Sequence, residues 1–301
     1  MNSNHRIECS THVHADLYPL WRSIRKFFLG TPLLGALYCY VRRRYHSLLT
    51  KKAGKRYFVN FSEFRAALYK EGDGTVDIRT TDGLVITVRR NISDARILQE
   101  VFLANPYVVR IRGLGLDPVV VDIGAYVGDF ALYAIKHFGA RQVIAYEPSK
   151  RNFSIMQRNI ENNQYDDQII SVNMAVSDTD TVFMDIDLPD RRQANVSVYQ
   201  PSSSLTRVKS VTLKDLFDIH KLECVDFLKL DCEGSEYDIL LSAPLELFGQ
   251  IRNIAMEFHE IEGFKQKLDA VIDRLRNVGY AVGVRGDIMV ASRTYRTALK
   301  E

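Results

Sequence analysis

Carboxylates, glycines and one histidine collect at five points where a short apolar run meets a turn. The first is Asp122-Ile-Gly124-Ala-Tyr-Val-Gly128-Asp129, after Val119-Val-Val. A buried strand that opens a helix through glycines has the form of a nucleotide-type cofactor loop, although a plain strand-to-helix turn also fits. Tyr126 stands where a dinucleotide fingerprint carries its second glycine, and a side chain there opposes the approach of a pyrophosphate. The second point is Glu147, nineteen residues beyond Gly128, an acid able to accept both hydroxyls of a ribose. The third is Asp178, which is either an acceptor for an exocyclic amine or part of a polar turn. The fourth, Lys229-Leu-Asp231-Cys-Glu233-Gly-Ser-Glu236, crowds three carboxylates, and such crowding with partial burial raises a pKa. The fifth is Glu257-Phe-His259-Glu260, where His259 is placed to act as a general base. A metal bound by Asp231, Glu257 and His259 is compatible with this spacing but not demanded by it, and none is expected.

The elements that must position these groups follow from periodicity. Thr75–Thr80 and Leu84–Arg89 alternate in polarity around Asp82-Gly83, which predicts a β-hairpin. Ser93 is a candidate N-cap for a helix over 94–104. From Pro118 the rhythm is strand, helix, strand. Strands are predicted at 119–121, 142–146, 169–174, 225–230 and 251–258, with helices at 129–138, 150–163 and 265–277. Tyr280–Val284 and Ile288–Ala291 close the chain as a hairpin. Alternating β and α imply a mostly parallel sheet covered by helices, here with an antiparallel edge. In such sheets ligands bind at the carboxyl ends of the strands, where the five groups lie.

Composition narrows the chemistry. The 301 residues are 46% hydrophobic and 26% charged, as in an ordinary globular protein. The four cysteines show no CxxC spacing, so a disulfide scaffold or zinc ribbon is not expected. Net charge is +3, but residues 17–62 hold ten Lys and Arg and no acid. Taking that +10 from +3 leaves −7 for the rest, so the basic residues are not a stripe on the folded body and no nucleic acid partner is expected. The proposed rim of Asp122, Asp129, Glu147, Asp178 and Asp231 is acidic, with no Lys or Arg between Arg112 and Lys136. Phosphates want basic residues and free helix N-termini. An acidic rim instead suits S-adenosylmethionine, with its sulfonium, ammonium, ribose diol and adenine.

In order along the chain, Asp122-Ile-Gly-Ala-Tyr-Val-Gly-Asp, Tyr146-Glu-Pro, Asn159-Ile-Glu-Asn-Asn163, Ala175-Val-Ser-Asp, Thr212-Leu-Lys-Asp-Leu, Leu228-Lys-Leu-Asp-Cys-Glu-Gly-Ser-Glu and Glu257-Phe-His resemble the FkbM-type methyltransferase family over residues 117–292. The resemblance implies an α/β class I methyltransferase (Rossmann-like) fold: a seven-stranded, mostly parallel sheet with an antiparallel last strand. It implies S-adenosylmethionine as donor and, usually, a hydroxyl oxygen as acceptor. It puts Asp122, Gly124 and Gly128 near the methionine part, Glu147 on the ribose, Asp178 near the adenine, and Asp231 and Glu233 beside the methyl or the acceptor. Many members have Asn where this chain has Tyr126, so contacts of that side chain do not transfer.

Three parts are expected: a basic, partly apolar segment over 1–58, a β-hairpin and helix extension over 59–116, and the methyltransferase domain over 117–295. The expected reaction is O-methylation of a sugar, glycolipid or related small-molecule or glycan acceptor, with His259 as base and Asp231 or Glu233 orienting the hydroxyl. The polar stretch Leu188–Thr206, with a short strand at 195–199, is a candidate lid or acceptor loop. The rival functions are a nicotinamide-dependent oxidoreductase and a degenerate methyltransferase fold that binds without turnover at a membrane.

Phe27–Val41 is uncharged for fifteen residues and flanked by Arg22, Arg25, Lys26 and Arg42–Arg44. As a helix it would reach roughly 22 Å, short of the roughly 30 Å hydrocarbon core. It either packs on the body or lies on an anionic membrane, held by apolar burial and about 1 kcal/mol per nearby basic residue. The expectation is a cytoplasmic protein with a peripheral contact at the inner membrane face through residues 17–56. On that expectation the chain co-sediments with anionic liposomes and is released by salt. Sedimentation indifferent to both lipid charge and salt would count against it.

Overall fold

A computed structural model describes residues 51–69, 71–90, 92–104, 107, 114–179, 181–184, 206–259, 261 and 263–293. The chain divides into two compact units, 1–57 and 58–301. Of the first, residues 51–57 are described, and they are helical. The apolar stretch 27–41 and the candidate loop and strand between 188 and 205 lie outside the described residues. No helix among the described residues is long and apolar enough to cross a membrane. The expected hairpin extension and the domain that follows it fall together in the second unit.

That unit begins with α1 (Phe61–Leu68), the hairpin β1 (Thr75–Arg79) and β2 (Val85–Arg89), and α2 (Asp94–Gln99), which continues as a π turn through Ala104. Asp82-Gly83 makes the hairpin turn, with Gly83 at φ 96°. Ser93 makes no side-chain capping bond to α2, contrary to expectation. Next come β3 (Val119–Ile123), α3 (Asp129–Tyr133, then a π turn to Phe138), β4 (Gln142–Tyr146), α4 (Lys150–Asn162) and β5 (Ile169–Val172). β5 ends two residues before the predicted 174, where Asn173 Nδ2 turns to donate to the carbonyls of Glu147 (2.9 Å) and Pro148 (3.0 Å). Ala175–Val176 (β6) instead joins β7 (Thr181–Met184) and β8 (Thr206–Val211) in a small sheet of order β6-β8-β7. The chain continues with α5 (Leu213–His220), β9 (Val225–Leu230), α6 (Glu236–Ser242), a 3-10 turn, β10 (Ile251–Glu257), α7 (Phe264–Asn277), β11 (Tyr280–Arg285) and β12 (Ile288–Arg293).

The main sheet runs β11-β12-β10-β9-β3-β4-β5. β12 is antiparallel to both neighbours, and the other pairings are parallel. Every residue of β3 and β9 is buried, as strands covered on both faces should be. The register sets Asp122 beside Lys229 and Ile123 beside Leu230 and Tyr146, while Met256 pairs with Leu230. The residues just past these pairs, Gly124, Glu147, Asp231 and Glu257, therefore leave the sheet at one level.

The hairpin is fastened to α4 by side-chain amides. Asn163 Oδ1 accepts from Val85 N–H (2.9 Å) and its Nδ2 donates to Val85 C=O (2.8 Å). Asn159 does the same at Thr87 (2.6 and 3.2 Å) and also donates to Val127 C=O (2.8 Å). Four residues of helix rise about 6 Å and two residues of strand about 6.6 Å. The two amides thus match the outward peptide groups of β2 as a neighbouring strand would. Asp94 Oδ2 takes the next outward donor, Arg89 N–H (2.9 Å). An edge closed this way cannot recruit another strand. Asn159 is fully buried, so Asn159→Leu orphans the N–H and C=O of Thr87. We expect a loss of about 1–3 kcal/mol per orphaned group, read by urea unfolding. A loss no larger than that of an exposed substitution would contradict this role.

Candidate active site

The β3–α3 loop is shaped by its neighbours. Gly124 and Ala125 donate N–H groups to Tyr146 C=O (3.0 and 2.9 Å), which ties the loop to the end of β4. Gly124 has φ 80°, and a Cβ there would lie 1.8 Å from the Asp231 carbonyl oxygen, so the two strand ends meet only because this residue is glycine. A Cβ on Gly128 (φ 79°) would come within 2.8 Å of Met156 Cγ on α4. Tyr126 is also at positive φ (50°) and buried, and its hydroxyl donates to Asp94 of the extension.

Lys229 is the centre of charge, and sequence reasoning missed it. Its Nζ lies 3.0 Å from Asp122 Oδ1, 3.1 Å from Gly124 C=O and 3.7 Å from Asp231 Oδ2. Its ammonium also faces the rings of Tyr107 (5.4 Å) and Phe130 (5.7 Å). These neighbours hold it charged, with a pKa raised against the opposing pull of burial. The available signal was a lysine inside an otherwise apolar buried strand. Asp122 is fully buried and its Oδ2 has no protein partner. Burial raises its pKa while Lys229 lowers it. Asp129, buried close by, is pushed up to about 7 by burial, against the pull of Lys229.

Glu147 is buried at the end of β4. Its Oε1 accepts from Ser149 N–H (2.9 Å) and Asn152 Nδ2 (3.2 Å), and its Oε2 from Tyr126 N–H (2.9 Å). A carboxylate offers about four lone-pair sites, so these three donors leave one on Oε2. Burial pushes this carboxyl up to about 7 despite the three bonds. Asp178 is not brought to this group: it is exposed on the turn after β6, where it accepts from Ser177 Oγ (3.0 Å).

On the other side of Lys229, the Tyr107 hydroxyl lies between Asp231 Oδ2 (2.9 Å) and Glu257 Oε2 (2.8 Å). Tyr107 belongs to the extension and gave no sequence signal, because its partners are 124 and 150 residues away. Burial and the charge of Asp231 push Glu257 up to about 7. His259 sits between two acids, with Nδ1 3.1 Å from Glu236 Oε1 and Nε2 3.3 Å from Glu233 Oε2. Burial pulls its pKa down, but Glu236 and Glu233 outweigh that and raise it to about 10. The ring is an imidazolium at neutral pH with both nitrogens facing carboxylates, which works against the expected base role. Glu236 is structural: it also accepts from Cys232 N–H (2.7 Å) and Gly234 N–H (2.8 Å), closing the loop that holds Glu233 at φ 57°. Burial pushes Glu233 up to about 7, with His259 opposing. Asp231, Glu257 and His259 each present one ligand-type atom within 4.8 Å of the others, a donor set suited to a divalent ion. In the structure Tyr107, Glu233 and Glu236 engage them.

A sheet of this order with one antiparallel strand, and an acidic glycine loop after its central strand, is the architecture of a class I methyltransferase. Residues 122–282 match the profile of the Methyltransferase FkbM domain, and the chain belongs to that family. It is 24% identical over 208 residues to Methyltransferase sdnD of Sordaria araneosa, covering 59% of this chain and 79% of that one. It is 27% identical over 187 residues to Methyltransferase 1 of Beauveria bassiana, covering 56% and 74%. Methyltransferase FkbM from Methylobacillus flagellatus KT aligns in structure at 16% identity and a TM-score of 0.43. That alignment covers 64% of this chain and 47% of the other. Family membership sets aside the nicotinamide alternative.

The family and fold imply S-adenosylmethionine as the cofactor, and the residues fit it. Asp122 keeps a buried oxygen without a partner, Glu147 keeps a lone pair, and the carboxyls at this end outnumber the one buried ammonium. Burying acids that have no cation is costly, and a sulfonium supplies one.

The raised values fix the pH response. Asp129 and Glu147 titrate near 7 when folded and about 4 when unfolded, so the folded chain binds more protons through that window. Stability therefore falls as pH rises from about 4 through 7. His259 adds stability that is fully present below about 6.5 and lost as pH rises through about 10. A cationic cofactor favours the ionised acids. We expect the rise in melting temperature on adding S-adenosylmethionine to be larger at pH 8 than at pH 6, and a pH-independent rise would contradict this assignment.

Proposed function

We propose that the protein transfers a methyl group from S-adenosylmethionine to a hydroxyl oxygen of a sugar, glycolipid or related metabolite. The observation that carries this reading is the Tyr107 hydroxyl held between Asp231 and Glu257. The Tyr107 hydroxyl has one proton to share between the two carboxyl groups, and a pair that engages one hydroxyl of the chain has the chemistry to engage that of an acceptor molecule. They stand one backbone contact from the cofactor loop, across Gly124 and the Asp231 carbonyl. The two relatives named as methyltransferases support the activity class.

The bound cofactor supplies an electrophilic methyl on a sulfonium. Asp122 and Lys229 would hold the methionine end, Gly124 and Gly128 would let the loop pass close to it, and Glu147 would offer an acceptor to the ribose. Asp231 orients the acceptor hydroxyl. As the acceptor oxygen gained the methyl and the methyl–sulfur bond broke to leave S-adenosylhomocysteine, the hydroxyl proton would pass to Glu257, whose carboxyl, pushed up to about 7, has a basicity matched to neutral pH. His259 and Glu233 hold the outer wall as an ion pair. Much of the rate enhancement should come from holding oxygen and methyl in line.

Incubated with S-adenosylmethionine and glycan or glycolipid extracts, the protein should yield a product heavier by one methylene. Cofactor binding without any product would favour the binding-module alternative. Glu257→Gln should lower kcat by about 10²-fold or more with little change in cofactor affinity. His259→Gln should do so less. If His259→Gln erases the basic requirement from the kcat–pH profile and Glu257→Gln does not, the base is His259.

A further inference from the structure

The extension and the cofactor end of the sheet are joined by one continuous polar array. Arg89, on β2, forks onto the fully buried Asp94 through Nε (2.9 Å) and Nη2 (3.0 Å). The same Nη2 donates to Asn152 Oδ1 (2.9 Å), and Asn152 Nδ2 donates to Glu147 Oε1 (3.2 Å). Asp94 also accepts from the Tyr126 hydroxyl, while Tyr126 N–H donates to Glu147 Oε2 (2.9 Å). The Arg89 guanidinium lies over the Tyr126 ring at 5.5 Å. Arg89 and Asp94 both lie outside residues 122–282, which carry the family match.

An amide has one acceptor end and one donor end. With Oδ1 of Asn152 engaged by a guanidinium, only its NH₂ can point at Glu147. Removing Arg89 takes away the donor that selects this orientation, and a turned-over amide would set a carbonyl oxygen against the carboxylate, which repels it. Asp94 fixes the guanidinium by a bidentate fork, the most orientation-specific pairing an arginine makes. The ring of Tyr126, clamped by the same two residues, sets the peptide that supplies the donor on Oε2. Two of the three donors on Glu147 are thus aimed from the extension, and the remaining lone pair points where those donors leave it.

We infer that Arg89, held by Asp94, is a positioning residue for Glu147, so that the N-terminal extension is a working part of the cofactor site. The inference rests on Glu147 contacting the cofactor ribose. It acts through orientation, so its signature is the discrimination between ligands with and without ribose hydroxyls.

The test is calorimetric binding of S-adenosylhomocysteine and of its 2′,3′-dideoxy analogue to the full-length protein, to Arg89→Ala and to Arg89→Lys. Arg90→Ala, which breaks the neighbouring 2.6 Å ion pair with Glu63, serves as a control, and thermal melts monitor folding. The wild-type protein should prefer the hydroxyl-bearing ligand by about 10-fold or more, as for a hydrogen bond to a charged group. Arg89→Ala should shrink that preference to within about 3-fold, chiefly by weakening the hydroxyl-bearing ligand. Arg89→Lys keeps a charge beside Asp94 but cannot fork, so it should fall between, and it serves if the alanine variant does not fold. The control should keep the wild-type ratio. A ratio preserved in both Arg89 variants, or equal weakening of both ligands, overturns the positioning role and leaves the ribose assignment standing. A wild-type ratio near one overturns the ribose assignment and this inference with it.

Discussion

The acidic end of the sheet depends on one buried ammonium. Asp122 and Asp129 are buried at the two ends of one loop, with Asp231 close by, and without a cation such a group would have to take up protons or leave the core. Lys229 prevents this. Its stem comes up inside a strand buried on every residue, so the charge is delivered from the core and not from solvent. The aromatic floor of Tyr107 and Phe130 gives it favourable faces in place of water. Breaking a buried pair by removing one partner typically costs about 3–5 kcal/mol, so the pairing holds β3 and β9 in register at the point where the cofactor loop begins. One ammonium does not balance all the acids, and the remainder is what a sulfonium can complete.

A second constraint is how a two-stranded hairpin is kept from ending in a bare edge. The outward peptide groups of β2 are taken in turn by Asn163, Asn159 and Asp94. The first two come from the C-terminal end of α4 and its C-cap residue, and the N-terminus of the same helix carries Asn152 and sits beside Glu147. Hairpin attachment and site geometry therefore share one helix. Tyr107 reaches Asp231 and Glu257 from the same extension, so the carboxylates on both sides of Lys229 borrow partners from outside the segment that carries the family match.

Much of the architecture was legible in the sequence, because period and turn chemistry are local. The Asp82-Gly83 hairpin, the buried run Val119–Val121 and the Ser149 cap of α4 all appear in place, the last with Ser149 Oγ accepting from Asn152 N–H at 3.4 Å. The capping box Thr212–Asp215, which starts α5, is equally local, since its two partners are three residues apart. Long-range pairings were not legible. Nothing local in Arg89 announces Asn152, and nothing in Tyr107 announces Asp231. The position of Tyr126 in its loop motif tells only that its side chain opposes a pyrophosphate. Its second feature, a hydroxyl turned into the extension, depends on a segment 32 residues away.

His259 lies where its motif points, and the acids around it favour a charged ring. An imidazole near carboxylates suggests a base, but the outcome depends on how many acids face it and how wet they are. One partner acid orients a neutral ring; two, with Glu236 fully buried, keep the proton on it. The histidine then acts as a cation that joins the end of β10 to the loop before α6. Among the acids around the Tyr107 hydroxyl, burial and a neighbouring acid have made Glu257 more basic than an ordinary carboxylate. Together with Lys229, His259 places a fixed positive charge on each side of Asp231. The acids between them are ones whose ionised form a cationic cofactor would favour.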